Sequence, residues 1–208
     1  MNYNSLYNIV KKEILTIQSE NLFKNVLLCI SGGVDSIVLF DIVNKINKEK
    51  KIFDYSILHF NHNQRNTASN DENLCKKLSK ENNIFLYNGF LNSKGNRFSS
   101  ETHMRNERYN YIFKIQKKFL FDSIFTAHHL DDQIETFYLR QKQTSDNIIL
   151  SGIREKYKTL FRPLIFIKKK DLLFYALENK LKWNEDETNL NNNIIRNKIR
   201  NKILPSII

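Results

Sequence analysis

The chain has 208 residues, 41% hydrophobic and 26% charged, a length that buries a core unaided and a balance that excludes collagen-like, coiled-coil and wholly disordered classes. No apolar run approaches the ~18 residues of a membrane span, and the opening MNYNSLYNIVKKEIL lacks a signal peptide's long apolar stretch, so the cytoplasm is the expected compartment and no membrane partner is expected. The formal net charge is +11, with thirteen Lys/Arg against six Asp/Glu in residues 151–208, a concentration that favours a polyanionic partner, nucleic acid first.

In chain order, Val26–Ile30 reads as a buried strand ending at a glycine turn. Ile37–Ile46 reads as a helix with Leu39, Val43 and Ile46 on one stripe. Ile52–Phe60 is a second strand, Asn70–Asn82 a helix and Ile84–Tyr87 a third strand. Ser99–Phe119 is a long helix capped by Ser99 or Ser100. Ser123–Thr126 is a short strand and Asp131–Gln141 a helix. The stretch KQTSDNIILSG then reads as a loop, Leu160–Ile167 as an edge strand interrupted by Pro163, and Lys169–Leu181 as a helix. A polar turn over Asn184–Asn193 leads to a final basic helix, Ile194–Ile203. The alternation predicts an α/β fold, a doubly wound and mainly parallel sheet with helices on both faces. Residues 1–150 form the expected α/β unit, and 151–208 a basic appendage of the same domain suited to a polyanionic partner. Ligands in such sheets sit outside the carboxyl ends of the strands, so chemistry is expected just after strands one, two and four.

Ser31-Gly32-Gly33-Val34-Asp35-Ser36 lies between the first strand and the first helix. Two glycines let consecutive N–H groups turn inward as an anion nest, and the helix terminus adds positive charge. Ser31 and Ser36 can donate to phosphate oxygens. No GK[ST] follows, so this is not the Walker pattern.

The stretch TAHHLDDQIET, from Thr126, closes a strand and opens a helix. On a continuous helix His128, Asp132 and Glu135 share a face. One imidazole and two carboxylates there suit a cation, a metal or an amine, whereas Asp131 suits the helix dipole. His128 and His129 could serve zinc, but no third ligand lies near in sequence. His59-Phe60-Asn61-His62 ends the second strand, where polar groups suit base or substrate contacts or a structural role. Arg105, Arg108 and Tyr109 on the long helix either present cations to phosphate or form a solvated, ion-paired face. Cys29 and Cys75 form no CxxC and read as core residues.

SGGVDS is the signature of the PP-loop ATP pyrophosphatases. Taken in order with HFNHNQR, ETHMRNERY, TAHHLDDQIET and a tail running from Arg162-Pro163-Leu164 through Trp183 to Arg196-Asn197-Lys198-Ile199-Arg200 and Leu204-Pro205, it makes the chain resemble the bacterial tRNA(Ile)-lysidine synthetases over nearly its whole length. That resemblance implies a Rossmann-like PP-loop fold and a concrete reaction. ATP would adenylate the C2 oxygen of cytidine 34 in the CAU anticodon of tRNA(Ile), and the ε-amine of free L-lysine would displace AMP. The loop residues Ser31 to Ser36 would hold the pyrophosphate, with Asp35 near phosphate and Mg²⁺. Asp132 and Glu135 would orient the lysine ammonium, and His128 and Arg108 would stabilise nucleotide or developing charge. Arg196 and Arg200 would sit on tRNA phosphates or near the reacting end. Three features depart from the family pattern. Gln143–Asp146 replaces a glycine-rich stretch, Glu187 replaces a proline, and the chain ends at Ile208 where many members continue. It therefore reads as a short form, for which a homodimer is one way to embrace tRNA. The rival readings are a PP-loop tRNA thiolase and a non-catalytic nucleotide- and RNA-binding descendant.

Overall fold

The computed structural model describes residues 3–61, 68–90, 101–141, 152–185 and 198–203. Its strands are β1 (Asn25–Cys29), β2 (Asp54–Asn61), β3 (Leu86–Phe90), β4 (Ser123–Phe125), β5 (Lys156–Tyr157) and β6 (Leu160–Phe161). They form one sheet in the order β3-β2-β1-β4-β6-β5, parallel throughout except at the β5–β6 hairpin. The run Val26-Leu27-Leu28 has no exposure because β1 lies inside the sheet and is covered on both faces. Val26 and Leu28 point into one core and Leu27 into the other.

The first core is built by α1 (Tyr3–Asn21), α2 (Val34–Glu49), α3 (Ala68–Asn82) and α6 (Lys169–Glu178). On the opposite face, Ile112 and Ile115 of α4 (Glu101–Lys118) meet Leu27, Leu58, Ile124 and Leu160. Helices on both faces of a mainly parallel sheet are the doubly wound α/β architecture that the alternation predicts. Helix α6 is fixed to α2 by polar contacts as well as packing. Tyr175 donates to Asp41 Oδ2 at 2.7 Å, and Lys45 donates to Asn179 Oδ1 at 2.6 Å.

Some elements differ from the sequence reading. Helix α1 was not anticipated, although Leu6, Val10, Ile14 and Ile17 form its buried stripe. Within Leu160–Ile167 only Leu160–Phe161 is strand, and it lies between β4 and β5 rather than at the edge. Pro163 follows it, where Ile165 N donates to Arg162 O and Ile167 N to Leu164 O in consecutive turns. Proline cannot donate to a ladder, so the apolar run buries itself in turns instead. Helix α6 ends at Glu178, and Lys180 takes a left-handed φ of 51°, ahead of the predicted end at Leu181.

Helix α5 (Leu130–Gln141) follows β4, and a C-terminal helical segment, Ile199–Ile203, packs against it. Residues 62–67, 99–100, 143–146, 187, 194–197 and 204–205 lie outside the described residues, and with them His62, Glu187 and Arg196. The topology itself locates a crevice. The chain runs β1, β2, β3 in one direction and then returns to place β4 on the other side of β1. At such a switch point the connections after β1 and β4 diverge and leave a cleft at the carboxyl ends of the strands.

Candidate functional site

The connection after β1 is the glycine loop. Gly32 has φ of +97°, and a Cβ there would lie 2.6 Å from Asp71 Oδ1 of α3, so glycine is required twice over. Gly33 begins α2 with no side-chain cap, which leaves the first-turn N–H groups as the kind of donors that anions take. Ser31 and Ser36 place their hydroxyl oxygens 3.1 Å apart, and Ser36 donates to Gly33 O at 2.8 Å. Val34 and Ser36 are buried beneath the loop while Ser31 is exposed. Asn184 fastens the loop from outside. Its N–H donates to Gly32 O at 3.0 Å and its amide to Asp71 Oδ1 at 2.9 Å.

Asp35 stands in the first turn of α2 and is held by a lysine and a histidine. Lys169 Nζ lies 2.6 Å from Oδ1, and His129 Nε2 lies 3.5 Å from Oδ2. Burial alone would raise the Asp35 pKa, but the hydrogen bond and charge of His129, joined by Lys169, hold it down at about 2. Lys169 is placed by its own backbone, whose N–H donates to Asp131 Oδ1 at 2.8 Å at the start of α6. Asp131, assigned above to the helix dipole, thus also joins α5 to α6.

His129 is 2% exposed and links the two loops of the crevice. Its Nε2 is 3.6 Å from Asp132 Oδ2, which also accepts from the His129 N–H at 3.1 Å. Burial opposes the charged ring, yet the hydrogen bond to Asp35 and the charges of Asp132 and Asp35 raise its pKa. Glu135 is fully buried one turn further along α5. Arg200, from the C-terminal segment, holds it by two bonds, Nε to Oε1 at 2.7 Å and NH2 to Oε2 at 3.2 Å. The same guanidinium lies 3.6 Å from Asp132 Oδ1.

His128 precedes the helix, which begins at Leu130, so it does not share a continuous helical face with Asp132 and Glu135. Its Nδ1 lies 3.0 Å from Thr126 Oγ1. Burial drives its pKa down to about 3; Asp132 pulls the other way, while Arg162, Arg108 and Arg105 add to the fall. The ring is therefore neutral near pH 7, in a cationic neighbourhood. Arg162 itself is 5% exposed. His59 is buried with Nδ1 2.9 Å from Ile30 O, backing the strand that leads into the loop.

The crevice thus has a side lined by donors and a side lined by acids. The glycine loop, Lys169 and the arginines around His128 suit phosphate, and Asp132 suits a cation, while Glu135 is already held by Arg200. Asp35, His128, Asp132, Glu135 and Arg200 come together around it, and Arg108 approaches through its charge on His128. Lys169 carries no mark in the sequence, and His129, weighed there beside His128 for zinc, instead lies between Asp35 and Asp132. Among the described residues no three His, Cys, Asp or Glu side chains are grouped to hold a metal ion.

A family model described as a PP-loop domain matches residues 6–207. A tRNA(Ile)-lysidine synthase from Persephonella marina is 31% identical over 202 residues, 95% of this chain and 44% of the relative. One from Haemophilus ducreyi is 36% identical over 190 residues, 88% of this chain and 42% of the relative. The chain therefore spans less than half the length of these curated relatives. Among solved structures, a U34-tRNA thiolase from Methanococcus maripaludis, determined with its 4Fe-4S cluster, superposes with a TM-score of 0.69 at 16% identity. That match covers 85% of this chain and 65% of the other, and it speaks to the fold alone.

Proposed function

Because the chain belongs to the PP-loop domain family, we propose that it acts as a tRNA(Ile)-lysidine synthase, joining L-lysine to C2 of cytidine 34 in a CAU anticodon at the expense of ATP. The observation that carries this reading is the buried His129 bridge. It sets a phosphate nest and a pair of carboxylates side by side in one crevice. A reaction that activates a base with a nucleotide and then admits an ammonium needs both sides at once.

In this scheme the cytidine O2 attacks the α-phosphorus of ATP and pyrophosphate leaves. The lysine amine then attacks C2, and the C2–O bond breaks with release of AMP. The loop from Ser31 to Ser36 holds the pyrophosphate, assisted by Lys169. Arg108 and neutral His128 donate toward the nucleotide oxygens. Asp132 is the better partner for the amine. Its side chain keeps 17% exposure, whereas Glu135 has none and is gripped by Arg200. Asp132 accepts a proton as the ammonium becomes a nucleophile, and Glu135 holds Arg200 in place. Asp35 beside the nest is the sort of single carboxylate that accompanies a phosphate-borne Mg²⁺. Arg196 and Arg200 belong to the basic appendage over 151–208, which we assign to the RNA.

A thiolase is the weaker reading. The chain has two cysteines. Burial pushes both thiols up to about 12, away from the thiolate that sulfur chemistry uses.

The test is incubation of the protein with ATP, Mg²⁺, radiolabelled lysine and a CAU-anticodon isoleucine tRNA, with label counted in the RNA. Stable incorporation is expected, with a fall of at least ~100-fold in Asp132→Asn and ATP binding retained. Nucleotide binding without any incorporation overturns the reading in favour of a binding module.

A further inference from the structure

We infer that the half-buried flank of α4 and the exposed β5 side of the β5–β6 hairpin form a binding surface for single-stranded RNA, a ladder of rings and cations leading out of the crevice. The inference rests on the tRNA reading above and extends it to a surface that shares Arg108 alone with the reaction chemistry. Arg105, Tyr109 and Phe113 follow one another at four-residue spacing, which places them on one face of α4 over ~12 Å of helix. The ladder begins on the side of α4 whose Arg105 and Arg108 charges reach His128. Both guanidinium groups lie over the Tyr109 ring, at 5.6 and 5.7 Å from its centroid. Tyr109 stacks on Phe113 at 6.4 Å and 26°, and Phe113 meets Tyr157 of β5 at 6.3 Å.

The far end is built by the hairpin. Alternation along β5 sends Lys156 toward Asn21 of α1 and Tyr157 toward α4. Lys158 takes the left-handed turn position, φ 56°, and its Nζ lies 5.5 Å from the Tyr157 ring and 5.8 Å from Phe113. Tyr157 is 45% exposed. Unstacked bases lie on aromatic faces while Arg and Lys take the phosphates, so rings interleaved with cations match a single strand. An anticodon loop offers such a strand on either side of the target base, and a ladder starting at the crevice would hold it in line with the reaction.

The full chain carrying Tyr157→Ala with Lys158→Ala is compared with wild type, using anisotropy of a fluorescent CAU anticodon stem-loop over a series of KCl concentrations. Affinity is expected to fall roughly tenfold and the salt slope to drop by about one contact. ATP affinity and the thermal midpoint should stay as in wild type. Tyr157→Phe with Lys158→Arg should restore RNA binding, since ring and charge survive. This pair also serves if the alanine variant fails to fold, and loss of RNA binding in it despite an intact fold overturns the surface. Unchanged RNA affinity and slope in the alanine variant overturn it too, even if wild type transfers lysine. Wild type that binds RNA through these residues but transfers no lysine removes the proposed function and leaves the surface standing. Wild type that binds no RNA removes both.

Discussion

Lys169 shows what a single residue contributes that its sequence context hides. It sits in a run of three lysines, 134 residues from the Asp35 it contacts, and nothing in the run marks which lysine turns inward. The tether from its N–H to Asp131 makes the choice. If the ammonium serves the polyphosphate, Lys169→Met should weaken ATP binding about tenfold or more and leave AMP binding nearly unchanged. Calorimetric titration of both nucleotides checks this, and equal losses for the two would reduce the lysine to an ion pair. His128 gives a second prediction at the same scale. Its folded pKa of about 3 lies below the unfolded value near 6.5, so the unfolded chain binds the extra proton between those limits. Stability should therefore decline as pH falls from 6.5 toward 3, at up to about 1.4 kcal/mol per pH unit from this group. His128→Gln should flatten that part of the denaturation profile. The motif TAHHLDDQ singled out His128. It did not reveal that the adjacent His129 is the bridge, because which of two neighbouring rings turns inward is set by Asp35 from another loop.

At the scale of elements, the period of the apolar pattern was readable wherever an element packs on its own core stripe. Helix α2 and strand β1 follow from it, and so does α5 to within one residue of its start. The stripe of α1 was equally visible in Leu6, Val10, Ile14 and Ile17. The pairing of α5 with the C-terminal segment could not be read, because it depends on a buried acid finding a distant base. The motif marks Glu135 as a functional carboxylate but does not show that it is fully buried against a partner 65 residues away. Arg200→Met leaves that carboxylate buried without its guanidinium and should cost about 3 kcal/mol. The double variant Arg200→Met with Glu135→Leu should recover much of the loss, since an apolar pair carries no buried charge. Urea denaturation of the four proteins measures the coupling, and additive losses would show that the pair does not hold the segment.

At the scale of the whole molecule, the alternation of strands and helices predicted the layered sheet, and the sheet predicted the crevice. Strand order supplies the link, since β4 had to return beside β1 for the glycine loop and the His128–Asp132 turn to meet. Sequence could suggest that return but not establish its register. The same layering separates stability from chemistry. Helix α1 packs against α2 and α6. Tyr7, near its start, donates to Glu49 Oε1 at the last residue of α2, at 2.6 Å. The glycine loop is at the opposite end of α2, ~22 Å along the helix. Leu6, beside Tyr7, is 1% exposed. Leu6→Ala removes packing far from the nest and should cost about 2–4 kcal/mol in chemical denaturation. ATP affinity measured well below the unfolding midpoint should stay within about twofold of wild type, because deletions far from a site with no shared partners act independently. A parallel loss of affinity would mean that α1 sets the position of α2 at the loop, and that the two ends of this helix are mechanically one site.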